Sequence, residues 1–498
     1  MFLTWACWMW PVVIDDTYIL LRYGRNLAEG AGLTFNPTQP PVEAYSDLFF
    51  ILVSAVVHIT GGNSVLTLKL VNTFCGLGAI AATTIIARRL VPRTTWWFAP
   101  LIVGFCPGFA FWAVAGLETA TFALLLLVAV AILALGSRPW WFVSSALLLL
   151  AALVRFETPI YVLAVAGVKL LVDAGSARSL VRSLRANIGW ILAFGLPYLA
   201  YTLWRWSYFG DLIPNSVRFK VAEGLDFSTT TMSIAFAVGW WPVLALFVLG
   251  CIRPGRRVAV IATPVLVAVV MYSFSQHEVW EDVSTMAYFD RYFLHTLPCL
   301  AVVSARGLNV FGRVIGRVAA FAWMFLVLVW LLVNPISSVG RILARAEDFP
   351  VDRPPCWKEM HDLLTSRHGE HMTLAVADIG LHGYLNGGEI VDLVGLSSAQ
   401  FTRGLGRDRA AYIDWISELR PDAVIITANT EGRVWRPSYR VEHELLQNPI
   451  IQSEYGITAS FCGSYYVDQE FIVLERRVDL PPGTISAPVT LAGGHPDH

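Results

Sequence analysis

The chain has 498 residues, 56% of them hydrophobic and only 15% charged, with a mean hydropathy of +0.57. A water-soluble protein this poor in charge cannot cover its own surface, so composition excludes an ordinary globular enzyme. The formal net charge of -1 excludes a chain drawn as a whole to nucleic acid or acidic partners.

The first fourteen residues are apolar but lack the basic n-region and small-residue cleavage site of a signal peptide. They fall short of the ~20 residues of a full span, so either the first helix is cut short or the true start lies upstream. Residues 15–47 form a polar, Pro-rich loop, followed by a short apolar run at 48–59. Apolar blocks then run over 70–87, 96–117, 119–135, 140–154, 159–172, 188–209, 232–251, 258–274, 293–305 and 318–333. With the N-terminal stub these make about eleven crossings. The expected fold is a polytopic α-helical membrane protein, with the membrane domain at 1–336.

Charge sets the topology. Reading 48–60 as an interfacial helix gathers Arg88, Arg89 and Arg93; Arg138; Lys169, Arg178, Arg182 and Arg185; Arg253, Arg256 and Arg257; and Arg306, Arg313 and Arg317 into one set of loops. By the positive-inside rule those loops are cytoplasmic. Counting that run as a span scatters the basic loops over both sides. The other, extracytoplasmic face receives 15–47, Glu118, Arg155 to Glu157, the loops at 210–226 and 275–291, and the tail.

In the tail, the runs at 373–377, 390–394, 423–427 and 471–475 read as short buried strands, and 408–419 as a helix. They predict a soluble α/β domain over 337–480, with a disordered Pro- and Gly-rich end at 481–498. Five of the seven cysteines lie in or beside apolar blocks and act as small hydrophobes. Cys356 and Cys462 lie in the tail, where an oxidising compartment permits them to pair.

The polar chemistry begins at Asp15-Asp16, where the first apolar stretch meets water. A carboxylate there can take a proton from an acceptor hydroxyl, and Arg22 and Arg25, three apart on one helix face, can hold a phosphate. The plainer alternative is that Asp15 and Asp16 cap the following helix. Gly30 and Gly32 end that helix, and Asn36-Pro37 leads on to Glu43-Ala-Tyr45-Ser46-Asp47.

This stretch resembles the first-loop signature of the GT-C superfamily of membrane glycosyltransferases, which take sugars from polyprenyl-phosphate donors. It is most similar to the branch of the terminal arabinofuranosyltransferases of arabinogalactan and lipoarabinomannan assembly. Arg22-Tyr23, Gly30-Ala-Gly32-Leu-Thr-Phe-Asn36-Pro37 and Glu43-Ala-Tyr45-Ser46 match that branch in order. So do Gly116-Leu-Glu118-Thr, Leu153-Val-Arg155-Phe-Glu157, the Tyr208 to Lys220 segment containing Pro214-Asn215, and Ala377-Asp378-Ile-Gly380 with Asp392 and Gly395. Three motifs depart from the branch. Phe156 replaces a proline, Ser284 to Asp290 stands in place of a Gly-Gly-Asp before Arg291-Tyr292, and Ser46-Asp47-Leu replaces the commoner Thr-Ser-Pro-Leu.

The resemblance implies an inverting transfer of a sugar, arabinofuranose first and mannose as an alternative, from a polyprenyl phosphate to a cell-envelope glycan. It places Asp15 or Asp16 as general base and Arg22, Arg25, Lys220 and Arg291 at the donor phosphate. Glu43, Tyr45, Glu118, Arg155, Glu157 and Asn215 become substrate-binding positions, in a bacterial plasma membrane protein. No cofactor is expected, although some relatives bind a divalent ion on first-loop carboxylates. The plainer readings make Arg155 and Glu157 a structural ion pair, Glu118 a cap, Arg291 a partner of Asp290, and His277, His295 and His382 satisfied polar residues. A transporter of lipid-linked sugar and a non-catalytic envelope assembly protein are the alternatives from other classes.

Overall fold

The computed structural model describes residues 1–174, 179–218, 230–273, 291–346, 355–403, 408–431, 434–462 and 469–477. Lys220, His277, Asp290, the end from Pro481 and the side chains of Cys356 and Cys462 lie outside the described residues. The chain divides into two compact units. One comprises Met1–Trp10, Ser46–Val53 and Val65–Gly340; the other comprises Pro11–Tyr45, Ser54–Ser64 and Arg341–His498.

The first unit is helical among the described residues. Three helices are long and apolar enough to cross a bilayer by length and composition: Ser64–Leu90, Leu180–Phe209 and Arg256–Ser273. Pro107–Val114 and Thr119–Leu135, bent by 112° at their junction, make a fourth when taken together. Hydropathy reads 96–117 as one block, yet the chain forms Phe98–Phe105 and Pro107–Val114 there. Pro107 cannot continue a preceding helix and is well placed to begin a new one. Likewise 232–251 is split into Thr230–Gly239 and Trp241–Gly250, with Pro242 in the first turn of the second helix.

The bend before Thr119 carries Glu118, and one polar residue holds it. Gly116 takes φ 91°, a left-handed conformation that side chains resist. The turn strands helix-end carbonyls in an apolar interior, where water cannot satisfy them. Asn72, fully buried, donates to the carbonyls of Trp112 (2.8 Å) and Leu117 (2.5 Å). Its oxygen accepts from the Thr121 amide (2.8 Å) and hydroxyl (2.9 Å). One amide side chain thereby serves both helix ends.

The second unit is built on a six-stranded sheet with strands β1 (Leu374–Val376), β2 (Ile390–Asp392), β3 (Ala423–Glu431), β4 (Val434–Pro437), β5 (Tyr455–Cys462) and β6 (Gln469–Arg476). The order is β2-β1-β3-β6-β5, with β4 pairing to β3. Strands β1, β2 and β3 are parallel, while β6 runs antiparallel to β3 and to β5. Four of these strands coincide with the apolar runs read from the sequence; β4 and β5 were not read. The helix at 408–419 is Arg409–Glu418, with Asp408 accepting from the Ala411 amide at 3.1 Å as its N-cap. Val424, Ile426, Ile472, Leu474, Ile416 and Leu445 form the core between this helix, its neighbour Arg440–Gln447 and the sheet.

Candidate active site

The second unit includes the first loop. Helix Asp15–Ala28 packs against the short helix Ile379–Leu385, which links β1 to β2. Asp15 is the first residue of its helix, and the N-cap position is Ile14, whose side chain cannot cap. Asp15 and Asp16 both lie in the first turn, where the helix dipole favours a carboxylate, and Asp15 has further partners. The Gly380 amide donates to Asp15 Oδ2 (2.8 Å) and the Leu381 amide to Oδ1 (2.7 Å), so both carboxylate oxygens are fixed in direction. A Cβ on Gly380 would collide with that carboxylate, so the close approach requires glycine.

Asp378, two residues before Gly380, accepts from the Tyr439 hydroxyl (2.9 Å) and the Thr427 hydroxyl (3.4 Å). Behind these, the buried Glu442 accepts from the backbone amides of Thr427 (2.9 Å) and Tyr439 (3.2 Å). Burial first, then the charges of Asp378 and Asp16, push Asp15 up to about 8, against the pull of its two amides. Burial pushes Asp378 up to about 6, and Asp16 adds to the rise.

Arg22, further along the first-loop motif, is architectural. Arg22 is 1% exposed, and its guanidinium donates to the carbonyls of Phe35 (2.7 Å), Gly383, Asn386 (3.0 Å) and Gly388 (2.8 Å) and to Asn36 Oδ1 (3.1 Å). Five donors meet five acceptors, which leaves none for a phosphate. Arg25 donates to the Tyr384 carbonyl (2.8 Å) and lies over the Tyr384 ring. The Asn36 side-chain amide bonds to both the carbonyl (2.7 Å) and the amide (3.1 Å) of Ile390, continuing the pattern of a sheet partner beside β2. Tyr23 donates to the Val42 carbonyl (2.6 Å) and meets the Phe35 and Tyr45 rings, which folds the loop onto itself. Glu43 and Tyr45 are buried within it. Asp392, from the second tail motif, accepts from the amides of Val394, Gly395 and Ser397 and so shapes the loop after β2.

The first unit gathers a second set of predicted residues. Arg155 donates to Glu118 (2.9 Å) and to Glu157 (2.5 Å), and Tyr272 donates to the same Glu157 oxygen (3.0 Å). Arg291 reaches Glu118 at 3.4 Å and stacks on Trp112. The structural pairing of Arg155 with Glu157 is therefore present, extended to a network of two guanidiniums and two carboxylates. Glu118 stands at a helix N-cap without capping it; its carboxylate bridges the two arginines instead. Asn215 is buried at the head of the short helix Asn215–Arg218. His295 pairs with the Tyr161 hydroxyl (2.6 Å) and His382 with His361 (2.9 Å).

Three participants were not read from the sequence as site residues. Asp378 sat within a motif quoted only for resemblance, and Tyr439 carried no signal. Asp47 is 1% exposed, with one carboxyl oxygen accepting from the Phe50 amide (2.9 Å) and the other lacking a partner among the described residues. Burial and the charge of Glu118 push it well above the usual carboxylate range, although Arg155 opposes the rise.

A family model described as a domain of unknown function (DUF8728) matches residues 347–474. Comparison with curated proteins by sequence finds no match. Among solved structures, the chain is similar to ArnT from Cupriavidus metallidurans bound to undecaprenyl phosphate, with 13% identity, a TM-score of 0.57 and coverage of 97% of this chain and 98% of that one. The Archaeoglobus fulgidus oligosaccharyltransferase tethered with an acceptor peptide matches at 12% identity and a TM-score of 0.50, covering 94% of this chain and 71% of that one. The arabinofuranosyltransferase AftD from Mycobacteria matches at 15% identity and a TM-score of 0.51, over 96% of this chain and 41% of that one. The chain shares the fold of these solved structures.

Proposed function

We propose that the protein is an inverting glycosyltransferase that moves a sugar, arabinofuranose in the first instance, from a polyprenyl phosphate to a cell-envelope glycan. In this reading about eleven crossings hold it in a bacterial plasma membrane, with the first loop and the C-terminal domain on the extracytoplasmic side. The observation that carries it is Asp15: a carboxylate at the head of the first loop, aimed by two backbone amides. The fold supports the class, and the first-loop resemblance supports the sugar.

Asp15 rather than Asp16 is the base, because only its oxygens are fixed by the Gly380 and Leu381 amides. It takes the acceptor hydroxyl's proton as that oxygen bonds to the anomeric carbon. The bond from that carbon to the phosphate oxygen breaks, and the polyprenyl phosphate leaves with the electron pair. Since Arg22 spends all five of its donors within the fold, Arg25, Arg291 and Lys220 are the cations assigned to the departing phosphate. Glu118, Arg155 and Glu157, linked to one another and to Arg291, are assigned to substrate binding, as are Glu43, Tyr45 and Asn215.

Purified full-length protein offered synthetic polyprenyl-phosphoryl arabinose and an arabinan acceptor tests the reading. Transfer is expected, and Asp15→Asn is expected to reduce it by about 10²–10⁴-fold, the usual contribution of a positioned base. Full activity in Asp15→Asn sinks the assignment of the base. Labelled donor crossing sealed vesicles with no glycan product turns the reading to transport.

A further inference from the structure

The turn between β1 and helix Ile379–Leu385 meets Asp15 in two ways. It presents the Gly380 and Leu381 amides to the two carboxylate oxygens, and it carries Asp378 close enough for the carboxylates to repel. Asp378 does not float. Tyr439 and Thr427, from two other elements, hold its two oxygens, and both have their backbone amides tied to the single buried carboxyl of Glu442. The arrangement fixes a second carboxylate beside the first, at a distance from the chemistry set by three separate segments of the C-terminal domain.

We propose that Asp378 is a positioning residue for Asp15: its turn supplies the amides that aim the base, and its negative charge strengthens Asp15 as a proton acceptor. The inference rests on the glycosyltransfer reading for its catalytic meaning. Above the midpoint, where both carboxyls are ionised, Asp15 becomes neutral as it takes the acceptor's proton and no longer repels Asp378, so the proton transfer relieves that repulsion. The proton then passes to water after product departs. The titratable groups facing Asp15 are Asp16 on its own helix, Asp378, and Tyr439, with Glu442 behind Tyr439.

The test uses the full chain in detergent or nanodiscs and compares wild type with Asp378→Asn and Asp378→Glu. The wild-type rate of transfer should climb with pH toward a midpoint near 8 that belongs to the pair of carboxyls. Asp378→Asn should move that midpoint down by roughly one pH unit and lower the plateau rate, as expected for removal of a neighbouring like charge. Asp378→Glu should move it back toward wild type. Tyr439→Phe, which removes a hydrogen bond favouring the Asp378 anion, should shift it the same way as Asp378→Asn but less, and it carries the test if Asp378→Asn fails to fold. A uniform loss of rate at every pH, with the midpoint unmoved, overturns the proposal.

A second arm does not depend on transfer. The folded state holds protons on Asp15 and Asp378 that the unfolded chain releases in the ordinary carboxylate range. Their contribution to stability is complete below that range and is lost as pH rises through about 6 and then about 8. The unfolding temperature should therefore decline over this window less steeply in Asp15→Asn and in Asp378→Asn than in wild type. Equal slopes in wild type and Asp378→Asn overturn the proposal. Flattened slopes with no transfer from any lipid-linked donor leave the carboxyl pair standing and sink the glycosyltransfer reading instead.

Discussion

Arg22 shows how one residue type serves two ends with the same chemistry. A guanidinium suits phosphate because it presents five N–H donors in a planar fork, and the same fork suits a cluster of orphan carbonyls. Here the carbonyls at the end of helix Ile379–Leu385 and of Phe35 take those donors. Arg22→Ala should therefore lower stability by about 3 kcal/mol, since several buried acceptors lose their partner at once. Thermal unfolding of the purified variant checks this. A large rise in KM for the donor with an unchanged unfolding temperature would return Arg22 to the phosphate. Spacing on a helix face placed Arg22 and Arg25 together in the sequence reading; it carries no information about which acceptors the opposite side of the fold brings to them. Asp15 is the converse case, legible as a candidate from its place at the edge of an apolar stretch, while the amides that aim it come from residues 365 and 366 positions away.

At the scale of elements, hydropathy located the helical stretches and the turn at Gly116 to Glu118, and missed the break at Pro107. Averaging over a window cannot register that Pro107 interrupts the ladder of backbone hydrogen bonds, because it sits among apolar neighbours. The turn at Gly116 to Glu118 matters, for it brings Glu118 to Arg155 and Arg291. Asn72 keeps it in place by serving Trp112, Leu117 and Thr121 together. Asn72→Leu should cost about 2–4 kcal/mol, from carbonyls and an amide left unpaired in an apolar interior. On the proposed glycosyltransfer reading it should also reduce transfer by loosening Glu118. Unfolding temperature and rate, measured together in detergent, check both effects; an unchanged unfolding temperature would remove Asn72 from this role. The tail reads better by strand than by sheet: β1, β2, β3 and β6 contain apolar runs, whereas β4 and β5 interleave polar residues and glycine with apolar ones.

For the whole molecule, the second unit is discontinuous in sequence, since Pro11–Tyr45 folds with the C-terminal region. Asn36 pairs with Ile390, Arg22 ties down the residues before β2, and Thr38 and Gln39 reach Glu389. A fragment spanning 341–480 should accordingly unfold at a lower temperature than the same fragment mixed with a peptide of residues 11–45. Titration of that peptide with calorimetry and thermal unfolding checks the outcome, and a fragment indifferent to the peptide would contradict it. The sequence by itself determined the class of the chain, because a bilayer demands long apolar segments and few charges, and that demand is written in composition. It also determined the short buried strands of the tail, whose apolar runs have no alternative to burial. Only the tertiary structure decided the partners: which carboxylate is aimed by amides, which arginine is spent on carbonyls, and which acids lie side by side. Those outcomes depend on contacts between segments hundreds of residues apart, and local pattern holds no record of such distances.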